Sequence, residues 1–190
     1  MPKKQRKRNK MKQKLEKFFI YFMLYAIFGW CYEVFLEVIV YRWGFSNRGF
    51  LFGPYCPVYG FGALAFILCL QKLKVKKIKL WKINITPILI FLGSMLIATA
   101  IELVTSYILQ IFTGGWLWDY TSYSFNFQGR IALNPSARFG LGGVIFLYVL
   151  QPLFEKLTDK LGEKGVRIMS SLMFAIFAVD FLVKITGYII

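Results

Sequence analysis

Five long apolar runs, separated by segments rich in lysine and arginine, constrain what this chain can fold into. The first run, FFIYFMLYAIFGWCYEVFLEVIV, contains no basic residue. It is longer than the roughly 20 apolar residues that cross a bilayer as a helix. Apolar residues make up 57% of the chain and charged residues only 17%, a balance typical of membrane proteins rather than soluble domains. The runs occupy residues 18–40, 49–71, 83–112, 139–154 and 168–190. The sequence therefore predicts an all-α polytopic membrane protein with about five transmembrane helices.

The basic residues predict how these helices are oriented. Of the 24 Lys and Arg residues, nine lie in residues 1–17, six in residues 72–82 and four in residues 155–167. Because basic loops stay on the cytoplasmic side, we expect the amino terminus to be cytoplasmic. The predicted segments are a basic tail (1–17), a first helical hairpin (18–71), a cytoplasmic loop (72–82), a second hairpin (83–154) with an outer loop (113–138), a cytoplasmic turn (155–167) and a fifth helix (168–190). The charge is divided among these loops, so anionic lipid rather than nucleic acid is the expected partner.

The segment SNRGFLFGPYCPVYG, which opens the second apolar run, is unlike the start of a membrane helix. Non-helical backbone at membrane depth must be buried in protein or line a wet cavity, because lipid cannot satisfy its polar groups. Gly49 and Gly53 let the chain reverse, and Pro54 has no N–H that needs a partner. We therefore predict a re-entrant segment over residues 46–56, with regular helix beginning at PVYGFGAL.

An internal repeat supports this interpretation. A shift of 80 residues aligns FSNRGFLFGPYCPVYGFGAL with FNFQGRIALNPSARFGLGGV, so that Gly49 coincides with Gly129 and Gly60 with Gly140. Gly/Pro-broken segments at matching positions of two halves are typical of a transporter binding site. We predict that Gly60 and Gly140 allow close backbone approach and that the two glycine-led segments pack together near the centre.

Charged side chains inside the apolar runs indicate where a site lies. A charge near the bilayer centre costs about 3 kcal/mol or more, so buried acids need cations or protons. We expect a water-accessible pocket in the outer half of the membrane, walled by Glu33, Glu102, Arg48 and Arg130. The expected rim consists of Asn47, Asp119, Tyr120 and Asn126. A structural alternative remains open: Arg48 with Glu33, and Arg130 with Glu102, could simply clamp loops.

Other residues have structural rather than chemical interpretations. Trp30 lies one turn before Glu33 on the same helix, and Asp180 is spaced to pair with Lys184. The tryptophans of the outer segments, including Trp116, are typical of an interfacial belt. The chain has no histidine, no nucleotide-hydrolysis or hydrolase motif, and no metal-binding cysteine spacing. We therefore predict no enzymatic activity, no cofactor and no metal.

Several motifs resemble the CmpB family of small bacterial integral membrane proteins, catalogued as ABC-transporter permeases of type IV. They are GWCYEV (29–34), NRGFLFGPYCPVYGFGA (47–63), ELVTS (102–106), WDYTS (118–122) and FNFQGRIALNPSARFGLGG (125–143). The resemblance covers roughly residues 20–150. Where it leads us to expect Cys-Leu and Trp-Gly, this chain has Ala132-Leu133 and Phe139-Gly140, a difference that concerns fine packing. The resemblance implies a bacterial cell membrane and substrate passage powered by a separate ATPase.

Two functions remain open from the sequence. The first is a transporter or permease subunit for a small or anionic substrate, with the bilayer and either a separate ATPase subunit or a second copy of the chain as partners. The alternative is an accessory or lipid-handling membrane protein that binds a phosphate-bearing headgroup, because the arginine fork matches phosphate geometry. An intramembrane enzyme is the weakest hypothesis.

Overall fold

The computed structural model describes the backbone of residues 3–189 and the side chains of residues 4–187. Residues 1–2 of the predicted tail and residue 190 of the predicted fifth helix lie outside the described residues. The described residues contain five α-helices, namely α1 (Lys3–Phe35), α2 (Pro57–Lys76), α3 (Thr86–Thr113), α4 (Leu133–Ile145) and α5 (Gln151–Ile189). Single π-helical turns, Leu36–Val40 and Phe146–Leu150, extend α1 and α4. The predicted all-α class is confirmed.

The β-structure of the described residues consists of two short antiparallel hairpins. Strand β1 (Lys79–Leu80) pairs with β2 (Ile83–Asn84), and β3 (Asn126–Phe127) pairs with β4 (Ile131–Ala132). Strand β1 lies in the predicted cytoplasmic loop (72–82), whereas β2 takes up the first two residues of the third predicted span (83–112). The second hairpin lies in the predicted outer loop. Each hairpin connects two helices.

Four helical stretches among the described residues are long and apolar enough to cross a membrane. They are Lys4–Val40, Pro57–Lys76, Thr86–Thr113 and Leu133–Gly187. The last stretch has 55 residues and contains the fourth predicted span and residues 168–187 of the fifth. Gly162 interrupts it with a non-helical backbone (φ 64°, ψ 177°). The division of this stretch into a fourth and a fifth crossing stays a prediction.

The helix boundaries follow local sequence. Helix α2 begins at Pro57, as predicted, because proline fits the first helical position, where its missing N–H has no partner to lose. Helix α3 ends at Thr113, and the capping residue Gly114 closes the last turn with a φ of 77° and an N–H bond to the Gln110 carbonyl (3.0 Å). Helix α4 begins at Leu133, six residues before the predicted span. The helix can include Pro135 because this proline lies in the first turn, where its missing N–H breaks no helical hydrogen bond.

The described residues form two compact units. The first comprises residues 1–60 and 153–190, and the second comprises residues 61–152. In the first unit α1 packs on α5 through aromatic side chains: the rings of Tyr25 and Phe154 lie 4.9 Å apart, and those of Phe22 and Phe177 lie 5.6 Å apart. Gly60 is buried against α1, where an added Cβ would lie 2.7 Å from the carbonyl oxygen of Phe22. A close backbone approach at Gly60 is therefore present, and its partner is α1.

The second unit is centred on the packing of α3 against α4. Its core contains Phe66, Leu70, Ile90 and Leu147. An added Cβ at Gly140 would lie 3.0 Å from the carbonyl oxygen of Phe91. Small residues at such crossings let helix backbones approach. Gly140 is thus a close-approach position whose partner is α3, and the predicted packing of the two glycine-led segments against each other stays a prediction.

Candidate functional site

In the first unit, residues 41–56 form an irregular segment after α1 and its π-turn. An ion pair ties this irregular segment back to the end of that helix. Arg48 Nε donates to Glu37 Oε2 at 2.9 Å, and Arg48 Nη2 lies 2.7 Å from Glu37 Oε1. The Ser46 hydroxyl also donates to Glu37 Oε1 at 2.7 Å. The Arg48 side chain is 31% exposed and that of Glu37 only 7%. The guanidinium therefore binds an acid of the first apolar run with both arms of its fork.

The pairing of Arg48 with Glu33 that the sequence suggested is corrected by this geometry. Arg48 follows Glu37 by only 11 residues, so the returning chain meets the last turn of the helix before it reaches Glu33. The Glu33 carboxylate instead accepts a hydrogen bond from the Tyr59 hydroxyl. Glu33 thus connects α1 to the first turn of α2.

Asn47, predicted at the rim of a pocket, organises its own segment. Its side-chain oxygen accepts from Trp30 Nε1 at 2.8 Å, and its amide donates to the Phe52 carbonyl at 2.8 Å. Gly49 follows with a φ of +96°, a left-handed conformation that explains the glycine. Asn47 and Trp30 therefore have a structural role in the first unit.

Asp180 holds the other end of this segment. Its carboxylate accepts hydrogen bonds from the backbone N–H groups of Phe52 (3.1 Å) and Gly53 (2.8 Å) and from the Tyr55 hydroxyl. Tyr55 itself is buried, with only 3% of the residue exposed. The Lys184 ammonium lies over the Phe52 ring, 4.5 Å from its centroid. Sequence reasoning anticipated a local Asp180–Lys184 pair and missed these backbone donors.

In the second unit, Arg130 is the most unusual charge. Its side chain lies between two aromatic rings, with the guanidinium carbon 4.1 Å from the Tyr107 centroid and 4.0 Å from the Trp116 centroid. Nη1 donates to Ser106 Oγ at 3.2 Å, and Nη2 donates to Gln110 Oε1. Arg130 is only 5% exposed, and its Nε is buried without a hydrogen-bond partner among the residues that the structure describes.

No acid among the described side chains neutralises Arg130. Among the described side chains, no carboxylate oxygen lies within the 4.0 Å of an ion pair with its guanidinium. The pairing with Glu102 suggested by the sequence is therefore corrected. Glu102 is buried, and its Oε1 accepts from the Tyr120 hydroxyl at 2.7 Å. Arg130, which is carried by the loop after α3, instead contacts Ser106, one helical turn beyond Glu102 on α3.

Asp119 and Asn126, also predicted at the rim, fold the loop that carries Arg130. Asp119 accepts from the backbone N–H (2.9 Å) and hydroxyl (3.0 Å) of Thr121. Asn126 accepts from the Gly129 N–H at 3.0 Å and donates to the Tyr123 carbonyl at 2.7 Å. Gly129 has a φ of +67°, the same left-handed region as Gly49, its counterpart in the predicted repeat. These side chains position Arg130 through the loop.

Sequence reasoning missed the residues that surround the guanidinium: Ser106, Tyr107, Gln110 and Trp116. A signal for two of them was present, because Glu102, Ser106 and Gln110 recur every four residues and so share one face of α3. Trp116 was interpreted as part of an interfacial belt, and the structure places it on Arg130. No sequence pattern indicated that stacking.

The arrangement around Arg130 is suited to holding an anion. An arginine stays protonated when buried, and taking it out of water costs several kcal/mol. Each aromatic face returns about 0.5–2 kcal/mol, and the carboxyl end of α3 supplies about half a negative charge. Neither the aromatic faces nor the end of α3 supplies a full negative charge to balance the guanidinium. The guanidinium therefore retains positive charge and an open N–H, the groups that bind an oxyanion.

These features define a multi-pass helical membrane protein with a buried arginine held by aromatic and neutral polar groups. Residues 20–185 match the family described as "Putative ABC-transporter type IV". The chain belongs to this family, which confirms the resemblance to the CmpB proteins and extends it beyond residue 150. No curated protein and no solved structure gives a significant match to the chain.

Proposed function

We propose that this chain is the permease subunit of an ABC transporter, that it passes a small anionic solute, and that Arg130 holds the anion. Family membership supports the transport function. The single observation that carries the substrate class is the buried Arg130 guanidinium, which has no carboxylate within ion-pair distance among the described side chains.

The position of Arg130 is consistent with access from the outer side. Its hydrogen-bond acceptors Ser106 and Gln110 lie in the last two turns of α3, so the site is about 5–11 Å from the end of that helix. The loop that carries Arg130 follows this end directly. Under the predicted topology this is the outer half of the membrane, where an anion could enter from the external solution.

The finer topology belongs to the same proposal. We infer five crossings of a bacterial cytoplasmic membrane, with the amino terminus inside and Gly162 marking the turn between the fourth and fifth. The concentration of basic residues in the tail, in residues 72–82 and in residues 155–167 supports this orientation.

The re-entrant segment and the repeat have structural support of their own. The N–H groups of Phe52 and Gly53 are satisfied by Asp180, as a segment at membrane depth requires. The aligned residues Gly49 and Gly129 share a positive φ. The aligned pairs Gly60/Gly140 and Gly62/Gly142 also behave alike, since an added Cβ is obstructed at the first pair and free at the second.

A lipid-handling function is the second candidate, and the same residue favours it. The guanidinium fork matches a phosphate as well as it matches a free oxyanion, and Trp116 and Tyr107 provide apolar faces for an attached chain. In this case the bound anion would be a phosphate-bearing headgroup, and no ATPase would be required.

Copurification separates the two functions. The tagged chain is extracted from native membranes in mild detergent, and its partners are identified and quantified by mass spectrometry. The permease proposal predicts an ATP-binding-cassette subunit in amounts comparable to the chain. A preparation without such a subunit, which retains one phosphate-bearing lipid per chain that is lost in Arg130→Gln, would contradict the permease proposal and favour lipid handling.

A further inference from the structure

We propose that the basic amino-terminal part of α1 is a docking surface for an acidic face of a cytoplasmic protein, namely the separate ATPase subunit. The identity of this occupant rests on the proposed function. The position of the surface rests on the geometry of α1 alone, and the two can be tested separately.

The basic segment and the first apolar run are one continuous helix. Helix α1 extends without interruption from Lys3 to Phe35. Positions 1–17 contain nine basic residues and one acid, Glu16, and the apolar run begins at Phe18. Because no break separates the two parts, the basic part projects along the axis of the membrane helix instead of bending onto the lipid surface.

This projection carries its distal charges away from the bilayer. At 1.5 Å per residue, Lys14 lies ~6 Å from Phe18, Arg8 ~15 Å and Lys4 ~21 Å. The headgroup layer is only about 5–7 Å thick on each side, and attraction to anionic lipid falls off over about 8 Å at physiological salt. Lys14 is therefore within reach of headgroups, whereas Arg8 and the residues before it are about one screening length or more beyond them.

The distal charges also repel one another. Like charges recur at four-residue spacing, for example Lys4 with Arg8 and Arg6 with Lys10, a spacing that destabilises an isolated helix. These side chains are exposed. A bound acidic surface would remove this repulsion, so the helix is a surface that an anionic partner stabilises.

The base of the projection is fixed to α5 within the same unit. Lys17 Nζ lies 2.6 Å from Asp159 Oδ1, and the hydroxyls of Tyr21 and Thr158 lie 3.1 Å apart. The basic part of α1 is therefore held in place before any partner binds, which lowers the ordering cost of association.

A cleft beside the helix favours a protein over other polyanions. Its volume is about 300 Å³, and its lining includes Arg6, Lys10 and Arg167 together with the acids Glu16 and Glu163. The two acids would repel the continuous phosphates of a nucleic acid. A protein surface carries both signs of charge and can match both.

The distance of the distal basic residues from the bilayer is tested by fluorescence quenching in nanodiscs. Fluorophores are attached at Lys7→Cys or Lys14→Cys, with the exposed cysteines Cys31 and Cys69 replaced by serine, and are quenched by lipids that carry a headgroup spin label. We expect strong quenching at position 14 and little at position 7. Equal quenching at both positions would show that the helix lies on the bilayer and would contradict the inference.

The occupant is tested with two triple variants that remove the same charge. The distal variant is Arg6→Gln/Lys7→Gln/Arg8→Gln, and the loop variant is Lys72→Gln/Lys76→Gln/Lys79→Gln. We expect the recovered ATPase subunit to fall by about tenfold in the distal variant, as loss of several interfacial charge pairs gives, and to stay within about twofold in the loop variant.

The outcomes separate this inference from the proposed function. Equal recovery of the ATPase subunit by the wild type and the distal variant contradicts the docking surface alone. Its absence from the wild type contradicts the proposed function and the occupant together. Recovery of nucleic acid that is lost in the distal variant contradicts the choice of a protein partner.

Discussion

Two aligned pairs of glycines offer a test of the packing in which the chain supplies its own controls. Gly60 and Gly62 both lie in α2. An added Cβ at Gly60 would lie 2.7 Å from the Phe22 carbonyl oxygen, whereas one at Gly62 would have nothing within 4 Å. Gly60→Ala therefore forces Phe22 of α1 away from the first turn of α2, and Gly62→Ala meets no such neighbour.

The magnitude follows from this geometry. Ordinary van der Waals contact begins at 3.4 Å, so α1 must retreat by about 0.7 Å at Gly60, and overpacking of this kind costs about 1–3 kcal/mol. Replacing glycine by alanine in a helix gains up to about 1 kcal/mol at either position. The difference between the two variants cancels that gain and isolates the overpacking cost of about 1–3 kcal/mol.

The same comparison applies to the second unit. At Gly140 the added Cβ would lie 3.0 Å from the Phe91 carbonyl oxygen, and at Gly142 it would again have nothing within 4 Å. We expect a smaller difference there, about 1 kcal/mol, because the required shift is smaller. The assay is the free energy of unfolding by sodium dodecyl sulfate titration in mixed micelles. Equal stability of Gly60→Ala and Gly62→Ala, within about 0.5 kcal/mol, would refute the close approach.

Three further predictions concern the irregular segment of the first unit. Arg48→Lys should destabilise the protein by about 1–2 kcal/mol, because lysine keeps the charge but loses the two-armed contact with Glu37; unfolding titrations check this, and an unchanged stability would contradict it. Asp180→Asn should speed amide hydrogen exchange at residues 52–53, because a neutral side chain holds their N–H groups less strongly; unchanged exchange would count against the clamp. Cys56 should resist maleimide at pH 8 until the protein is unfolded, because the residue is buried, with only 3% exposed; rapid labelling of the folded protein at this cysteine would be inconsistent with that environment.

The fold was largely predictable because bilayer physics reduces the choices to a few apolar helices. The start of α2 at Pro57 and the extent of α3 follow from hydropathy and proline placement. The start of α4 at Leu133 could not be predicted in this way, because residues 133–138 are polar enough to read as loop. Their helical state depends on packing against α3, for example through the 2.7 Å bond between the hydroxyls of Thr99 and Ser136.

The candidate site was predicted in its residue types but not in its partners. Embedded acids and outer arginines were identified from their cost in lipid, yet Arg48 binds Glu37 rather than Glu33. Arg130 binds aromatic faces and neutral oxygens instead of Glu102. Which acid an arginine reaches depends on how a loop returns to its helix, and residue spacing does not specify that path. The stacking on Trp116 is a tertiary contact without any local signature.

The most direct test of the account is anion binding at Arg130. Unfolding temperature is measured in detergent with inorganic phosphate, against sodium chloride at the same ionic strength, for the wild type, Arg130→Gln and the control Arg48→Gln. Phosphate at about 100 times its dissociation constant should stabilise the wild type by about 2.7 kcal/mol. We predict that Arg48→Gln lowers the baseline but keeps this phosphate increment, and that Arg130→Gln abolishes it. An equal increment in Arg130→Gln and the wild type would contradict the assignment of Arg130 as the residue that holds the anion.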